Sequence, residues 1–227
     1  SEIVADGEHL WQTDSLEEGR RQERKRGIKT TEQLYRTQIS SRGRTNHSIG
    51  VAAAINYPER DLPVPPYTLG AWLGDGLSAG ARLFSADPQV LDGIRNEGVL
   101  VGVGHSDKRG NQALSYSIGR DKRGGNDRSN PILDRLRGLN VIKNKHIPDL
   151  YLRASIEQRL SLIRGLMDTD GGLYIHKHTV NKIPYRNIGL CFGSASFPLI
   201  CSVATILKKF NIEPHISKDK RKIYLYS

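Results

Sequence analysis

Thr68-Leu69-Gly70-Ala71-Trp72-Leu73-Gly74-Asp75-Gly76 and Ile163-Arg164-Gly165-Leu166-Met167-Asp168-Thr169-Asp170-Gly171 are two helix-like segments that end in the same acidic signature. Each carries a small residue at two positions four apart, Gly70 with Gly74 and Gly165 with Thr169, on one stripe of one helical face. A second backbone can approach closely there, so the spacing predicts helix packed on helix. Asp75 and Asp170 fall in the last turn, next to glycines suited to the left-handed residue that ends many helices. A carboxylate there faces the negative pole of the helix dipole, at a cost of about 0.3–1 kcal/mol that packing gives no reason to accept. If the helices pair side by side the two carboxylates converge, and like charges in one place push one pKa upward unless a cation lies between them. Hard oxygen ligands make Mg2+ the natural occupant. One copy would read as an ordinary Asp-Gly turn, whereas two copies at matched positions reverse that reading.

Together the segments resemble the signature of the LAGLIDADG homing endonucleases, the second closely. The first departs from it, with Leu73 where the second has Asp168, so only the final acids Asp75 and Asp170 carry over as metal ligands. The resemblance implies an α+β fold of two pseudo-symmetric αββαββα-like halves, packed through the two signature helices, with antiparallel sheets forming a DNA-binding saddle. It implies a site-specific endonuclease that hydrolyses one phosphodiester in each strand of duplex DNA and leaves short 3′ overhangs. Its metal would be Mg2+, with Mn2+ substituting and Ca2+ binding without supporting cleavage. Backbone carbonyls of Gly74 and Thr169 are expected to assist the two acids. Lys145, in Asn144-Lys145-His146-Ile147-Pro148, resembles the lysine of an intein-endonuclease block, with an implied role of electrostatic help at the phosphate or water. A lysine beside a proline turn otherwise reads as solvent-exposed. For the other half, Lys220 and Lys222 are the candidates.

The balance of 34 Lys+Arg against 24 Asp+Glu, a net charge of +10, favours a polyanionic partner. No apolar run approaches the roughly 20 residues of a membrane span, and Ser1-Glu2-Ile3-Val4 has no signal-peptide pattern. A cytoplasmic, nucleoid-associated monomer with duplex DNA as partner and no membrane is the expectation. Cys191 and Cys201 belong to no metal-ligand spacing and read as reduced, half-buried packing residues. His176 and His178 alternate along a strand, and without a third ligand nearby they read as a solvent- or DNA-facing pair rather than a zinc site.

Three regions are expected: 1–60, an N-terminal region that is an intein splicing-domain remnant or a DNA-contacting arm; 61–150, the first half; and 151–227, the second. The charged run from Glu17 to Lys29 reads as a solvated face, with a phosphate-touching arm as the sharper alternative. Ile3 to Trp11 faintly resembles the histidine-bearing block of intein splicing domains, although Asp6 stands where a threonine is usual, and Leu62 to Tyr67 resembles the lead-in to intein-borne endonuclease helices. Helices open at Pro66, Asp87-Pro88, Asn130-Pro131, the Ser155/Gln158 capping box and Ser196, and the last should stop near Asn211. Leu114, Tyr116 and Ile118 define one face of a strand, and Ile188, Leu190 and Phe192 one face of another, so sheets with one wet face follow. The acids lie 95 positions apart, between 75 and 170, a domain-sized period.

Base and phosphate contacts fall to Lys108, Arg109, Arg120, Lys122 and Arg123 around the first strand pair, and to Tyr174, His176, Lys177, His178 and Arg186 on the second. Two other readings stay open. One is a catalytically inactive, maturase-like binder of nucleic acid. The other is a fragment of a protein-splicing intein, although Tyr224-Leu225-Tyr226-Ser227 offers no His-Asn pair for splicing by this chain alone.

Overall fold

In the computed structural model the described residues are 4–16, 25–40, 43–50, 53–106, 113–120, 130–180 and 183–225, with only the backbone described over 176–180 and 183–187. The chain divides into two compact units, Ser1–Ala53 and Ala54–Ser227. Four elements build the first: β1 (Leu10–Ser15), β2 (Lys25–Thr30), α1 (Thr31–Arg36) and β3 (His47–Ile49), with the antiparallel sheet ordered β2-β1-β3. The part of the charged run that is described, from Lys25, is thus strand. Thr30 and Gln33 cap α1 reciprocally. The His9 ring packs tilted against Trp11 with ring centres 4.6 Å apart, and Trp11 Nε1 donates to Thr31 Oγ1 at 2.9 Å.

The second unit runs α2 (Pro66–Asp75), β4 (Arg82–Ser85), α3 (Pro88–Asn96), β5 (Leu114–Ser117), α4 (Pro131–Gly138), α5 (Asp149–Leu152), α6 (Ile156–Asp170), β6 (Gly171–Val180), β7 (Ile183–Gly193), α7 (Phe197–Lys209), β8 (His215–Ile216) and β9 (Lys222–Leu225). The protein is therefore mixed α and β, with seven helices among the described residues. Its sheets are antiparallel: β4 pairs β5, and a four-stranded sheet is ordered β6-β7-β9-β8.

Helix starts follow the capping chemistry. The side chains of Asp87, Asn130, Ser155 and Ser196 accept from backbone N–H groups two or three residues on, and both arms of the Ser155/Gln158 box are made. Pro65 gives α2 no such cap. Glu97, beyond the end of α3, replaces it by accepting the N–H groups of Tyr67 and Thr68 at 2.9 and 2.8 Å and the Thr68 hydroxyl at 2.9 Å.

Helices α2 and α6 lie side by side and parallel, because a Cβ at Gly70 would overlap Leu162 and Leu166 backbone, while one at Gly165 would overlap Tyr67 and Ala71 backbone. Leu69, Trp72, Leu73, Leu162 and Leu166 are at most 1% exposed around this seam and anchor the core.

Two sequence expectations are corrected. Gly76 and Gly171, which end the two helices, are extended at φ −74° and −84° rather than left-handed. Their lack of a side chain serves close approach instead, since a Cβ would overlap Trp72 at Gly76 and Met167 at Gly171. Cys201 is exposed rather than half-buried, while Cys191 is intermediate and both are free thiols. On the β7 face, Phe192 is buried at 3% exposure but Ile188 and Leu190 remain 65% and 44% exposed.

Candidate functional site

The closed end of the parallel seam brings the two signature acids to one place. Asp75 is the last residue of α2 and Asp170 the last of α6, and both are half-buried. A Cβ at Gly74 would come within 3.5 Å of an Asp170 carboxylate oxygen and would crowd the Thr169 side chain, so glycine here is what lets the helix ends meet. Thr169 turns its hydroxyl back onto its own helix, donating to the carbonyls of Gly165 and Leu166 at 3.0 Å each.

Lys145 enters from the loop between α4 and α5. Its Nζ donates to the Gly74 carbonyl at 2.7 Å and lies 5.5 Å from the centre of the Trp72 ring, a cation–π distance. Its own carbonyl accepts the Ser196 hydroxyl at 2.6 Å, which fixes the loop against the start of α7. The electrostatics agree with the geometry. Burial raises the Asp75 carboxyl above its ordinary value, opposed by Lys145. Burial also raises Asp170, with a further push from the charge on Asp75 and the same opposition from Lys145. Burial lowers the Lys145 ammonium, while Asp170 and Asp75 hold it up. Asp75, Asp170 and Lys145 thus share one local field.

Beside them opens a cleft of about 500 Å³ lined in part by Gly74, Lys143, Lys145, Asp170, Ser194 and Ser196. Sequence reasoning missed Lys143 and Ser194 as members of this cleft, and read Ser196 only as a helix start. The Phe192-Gly193-Ser194 run ahead of a cap was the available signal. What can sit among these groups follows from the donor set. Two carboxylates and the second lone pair of the Gly74 carbonyl are all hard oxygens, and no group of three or more His, Cys, Asp or Glu side chains forms a closed cage among the described residues. That set suits a cation such as Mg2+, which is held by one or two carboxylates and keeps waters and substrate oxygens for its other positions.

With this geometry in view, comparison with known proteins gives a narrow likeness. No family profile matches the chain. Over 128 residues, 56% of its length, it is 41% identical to a replicative DNA helicase DnaB from Mycobacterium intracellulare. The match covers 18% of that relative, so the chain spans under a fifth of the protein it resembles. This finding overturns the family read from the paired signatures: the relative bears the name of a helicase, not that of a LAGLIDADG homing endonuclease.

The remaining site residues scatter. Lys108, Arg109, Lys122 and Arg123 lie outside the described residues. Arg120 is half-buried just past β5, bridged to Val101. Tyr174 lies across Gly189, edge-on to Tyr224 with ring centres 5.2 Å apart, and its hydroxyl donates to the Leu225 carbonyl at 3.4 Å. His176, Lys177 and His178 are on β6 and pair in register with Asn187, Arg186 and Tyr185 of β7. Lys220 sits over the Phe197 ring at 5.1 Å, and Lys222 begins β9. Asp168, the acid absent from the first signature, accepts the Tyr67 hydroxyl at 2.7 Å across the seam. Burial, then that hydrogen bond to Asp168, raises the Tyr67 phenol.

Proposed function

We propose that the seam end is a metal-dependent phosphodiesterase site acting on duplex DNA. The observation that supports this reading is the convergence of Asp75, Asp170 and Lys145 beside an open polar cleft. A bound divalent cation would supply Lewis acidity at the phosphoryl oxygen and a more acidic water. Asp75 and Asp170 would hold it, with the Gly74 carbonyl. Lys145, half-buried, anchored on Gly74 and stacked on Trp72, presents a fixed positive charge toward the anion that develops at phosphorus. Hydrolysis then breaks one P–O ester bond per strand, and the two helix ends, related by the repeated signature, would serve one strand each. The net charge of +10 supports a polyanion as substrate.

In the test, the protein is incubated with Mg2+ and a randomised duplex library and the cut ends are sequenced, in parallel with Asp75→Asn and Asp170→Asn. Loss of cutting with DNA binding retained is the expected result. Unchanged cutting by either variant removes the assignment.

A second reading is favoured by the comparison itself. A stretch of 128 residues that makes up 18% of a DnaB helicase fits a segment carried inside a longer polypeptide, and specifically a fragment of a protein-splicing intein. Under this reading the coding sequence lies within the reading frame of a DnaB-type helicase; a free-standing frame would remove it. A binding protein that no longer cuts is the outcome if Mg2+ yields no products while duplex is still bound.

A further inference from the structure

The polar groups of the cleft beside the seam end do not all serve the seam. Asp170 is the one carboxylate among the described residues that line it. Several of the others are engaged within the chain. The Ser196 hydroxyl donates to the Lys145 carbonyl at 2.6 Å and its oxygen accepts the Leu199 N–H, while the Asn144 side-chain amide donates to the Asn140 carbonyl at 3.2 Å. Lys145 places one ammonium proton on the Gly74 carbonyl. What remains on the walls is chiefly donors. The Ser194 oxygen accepts the Ser196 N–H at 3.1 Å, which leaves the Ser194 hydroxyl proton free among the described residues. The Lys143 side chain is exposed and makes no hydrogen bond, ion pair or ring contact among the described residues.

The backbone at Lys143 sharpens the point. It is left-handed at φ 56°, a conformation that crowds any Cβ, and the Lys143 N–H fixes it by donating to the Ser78 carbonyl at 2.8 Å. Lys220 is also left-handed, at φ 58°, but its ammonium finds a seat within the chain, over the Phe197 ring at 5.1 Å. Lys143 finds no such seat among the described residues, so its strained turn presents an ammonium to the cleft alone.

We propose that Lys143 and Ser194 hold a second phosphate of the DNA strand that is cut, next to the scissile one. The inference rests on the reading of the seam end as a phosphodiesterase site and names the part of the substrate that the rest of the cleft takes. Donors left without acceptors define the place of an anion. Lys143 and Lys145 stand two positions apart on one loop, so both ammonium groups face one backbone rather than the two strands of a duplex. A phosphate contact of this kind sets register and orientation and reads no base. Lys143 is thus a substrate-positioning residue, outside the reacting atoms.

The test measures binding of a short random-sequence duplex in Ca2+ by fluorescence anisotropy across a range of KCl. Lys143→Met should lower the slope of log K against log salt by about 0.9, and Lys143→Arg should keep it. Ser194→Ala should weaken binding by one factor at every salt concentration with the slope unchanged, because a hydroxyl displaces no counterion. Lys143→Gly suits the left-handed backbone, so its melting temperature should be no lower than that of the parent while its slope falls as in Lys143→Met. Lys208, paired with Glu213 at 3.5 Å in the last turn of α7, is the charge control, and Lys208→Met should keep the parental slope. A parental slope in Lys143→Met or Lys143→Gly, or an equal fall in Lys208→Met, would overturn the proposal. Cutting is not read in this assay, so an absence of Mg2+-dependent cleavage, which would remove the reading of the seam end, leaves these slopes to decide the phosphate contact separately.

Discussion

Adding one carbon to the middle of the seam tests the packing on which the site depends. At Gly165 a Cβ would lie 2.7 Å from the Ala71 nitrogen and closer still to the Tyr67 carbonyl, whereas ordinary van der Waals contact begins near 3.4 Å. The neighbours are backbone atoms and cannot rotate away, so α2 and α6 must part by roughly 0.7 Å or more. Overpacking of this kind costs about 1–3 kcal/mol, and the better helix propensity of alanine returns about 1 kcal/mol. Because the overlapped atoms are backbone, the cost falls in the upper part of that range, about 2–3 kcal/mol, and Gly165→Ala should destabilise by about 1–2 kcal/mol net. Gly138, the last residue of α4, has nothing within 4 Å of its Cβ position, so Gly138→Ala should instead stabilise by about 0.5 kcal/mol. Urea unfolding followed by Trp72 fluorescence in a Trp11→Phe background reads this unit alone. A Gly165→Ala protein as stable as its parent, or a Gly138→Ala protein destabilised to the same extent, would refute the reasoning.

Further outcomes follow from the site. Both signature carboxyls have folded-state pKa values above their unfolded ones, so in metal-free protein their charge costs stability at neutral pH, and the cost fades as pH falls through the raised folded value. Asp170→Asn should accordingly raise the metal-free melting temperature near pH 7, with no gain once pH drops to about 4, as calorimetry across pH would register. Lys145→Met should cut single-turnover DNA cleavage by about a hundredfold or more. The same substitution should move the Asp170 titration still higher by NMR, since Lys145 now holds it down. Tyr67→Phe removes a hydrogen bond to a carboxylate and should cost about 1–2 kcal/mol in the same urea assay.

What the sequence made legible was local. Proline and polar caps marked where α3, α4, α6 and α7 begin, because a cap is satisfied within three residues of itself. The spacing of Gly70, Gly74, Gly165 and Thr169 pointed to a close helix pair, because side-chain size and helical period are both properties of the segment. Contacts across long separations were not legible. Glu97 capping α2, Tyr67 bonding Asp168 and Lys145 reaching Gly74 join residues 29 to 101 positions apart, and no local pattern announces them. The handedness of Gly76 and Gly171 was misread for a related reason: a glycine that ends a helix and a glycine that makes room look alike until the neighbouring ring or thioether is placed. The family was misread because it rested on two short signatures, whereas the likeness measured over 128 residues is to a protein that bears the name of a replicative helicase.

Parallel pairing of α2 with α6 also dictates an order of events during synthesis. Neighbouring helices that run the same way cannot be joined by a tight turn, so the chain must travel from Gly76 to Ser155 before the partner helix begins. Until the ribosome has delivered residues up to about Asp170, the face of α2 that carries Gly70 and Gly74 has nothing to lie against. Closure of so long a loop makes for high contact order and a slow folding step. A nascent chain halted before α6 should therefore be a ready target for chaperones and proteases, however well its first capped helices have formed.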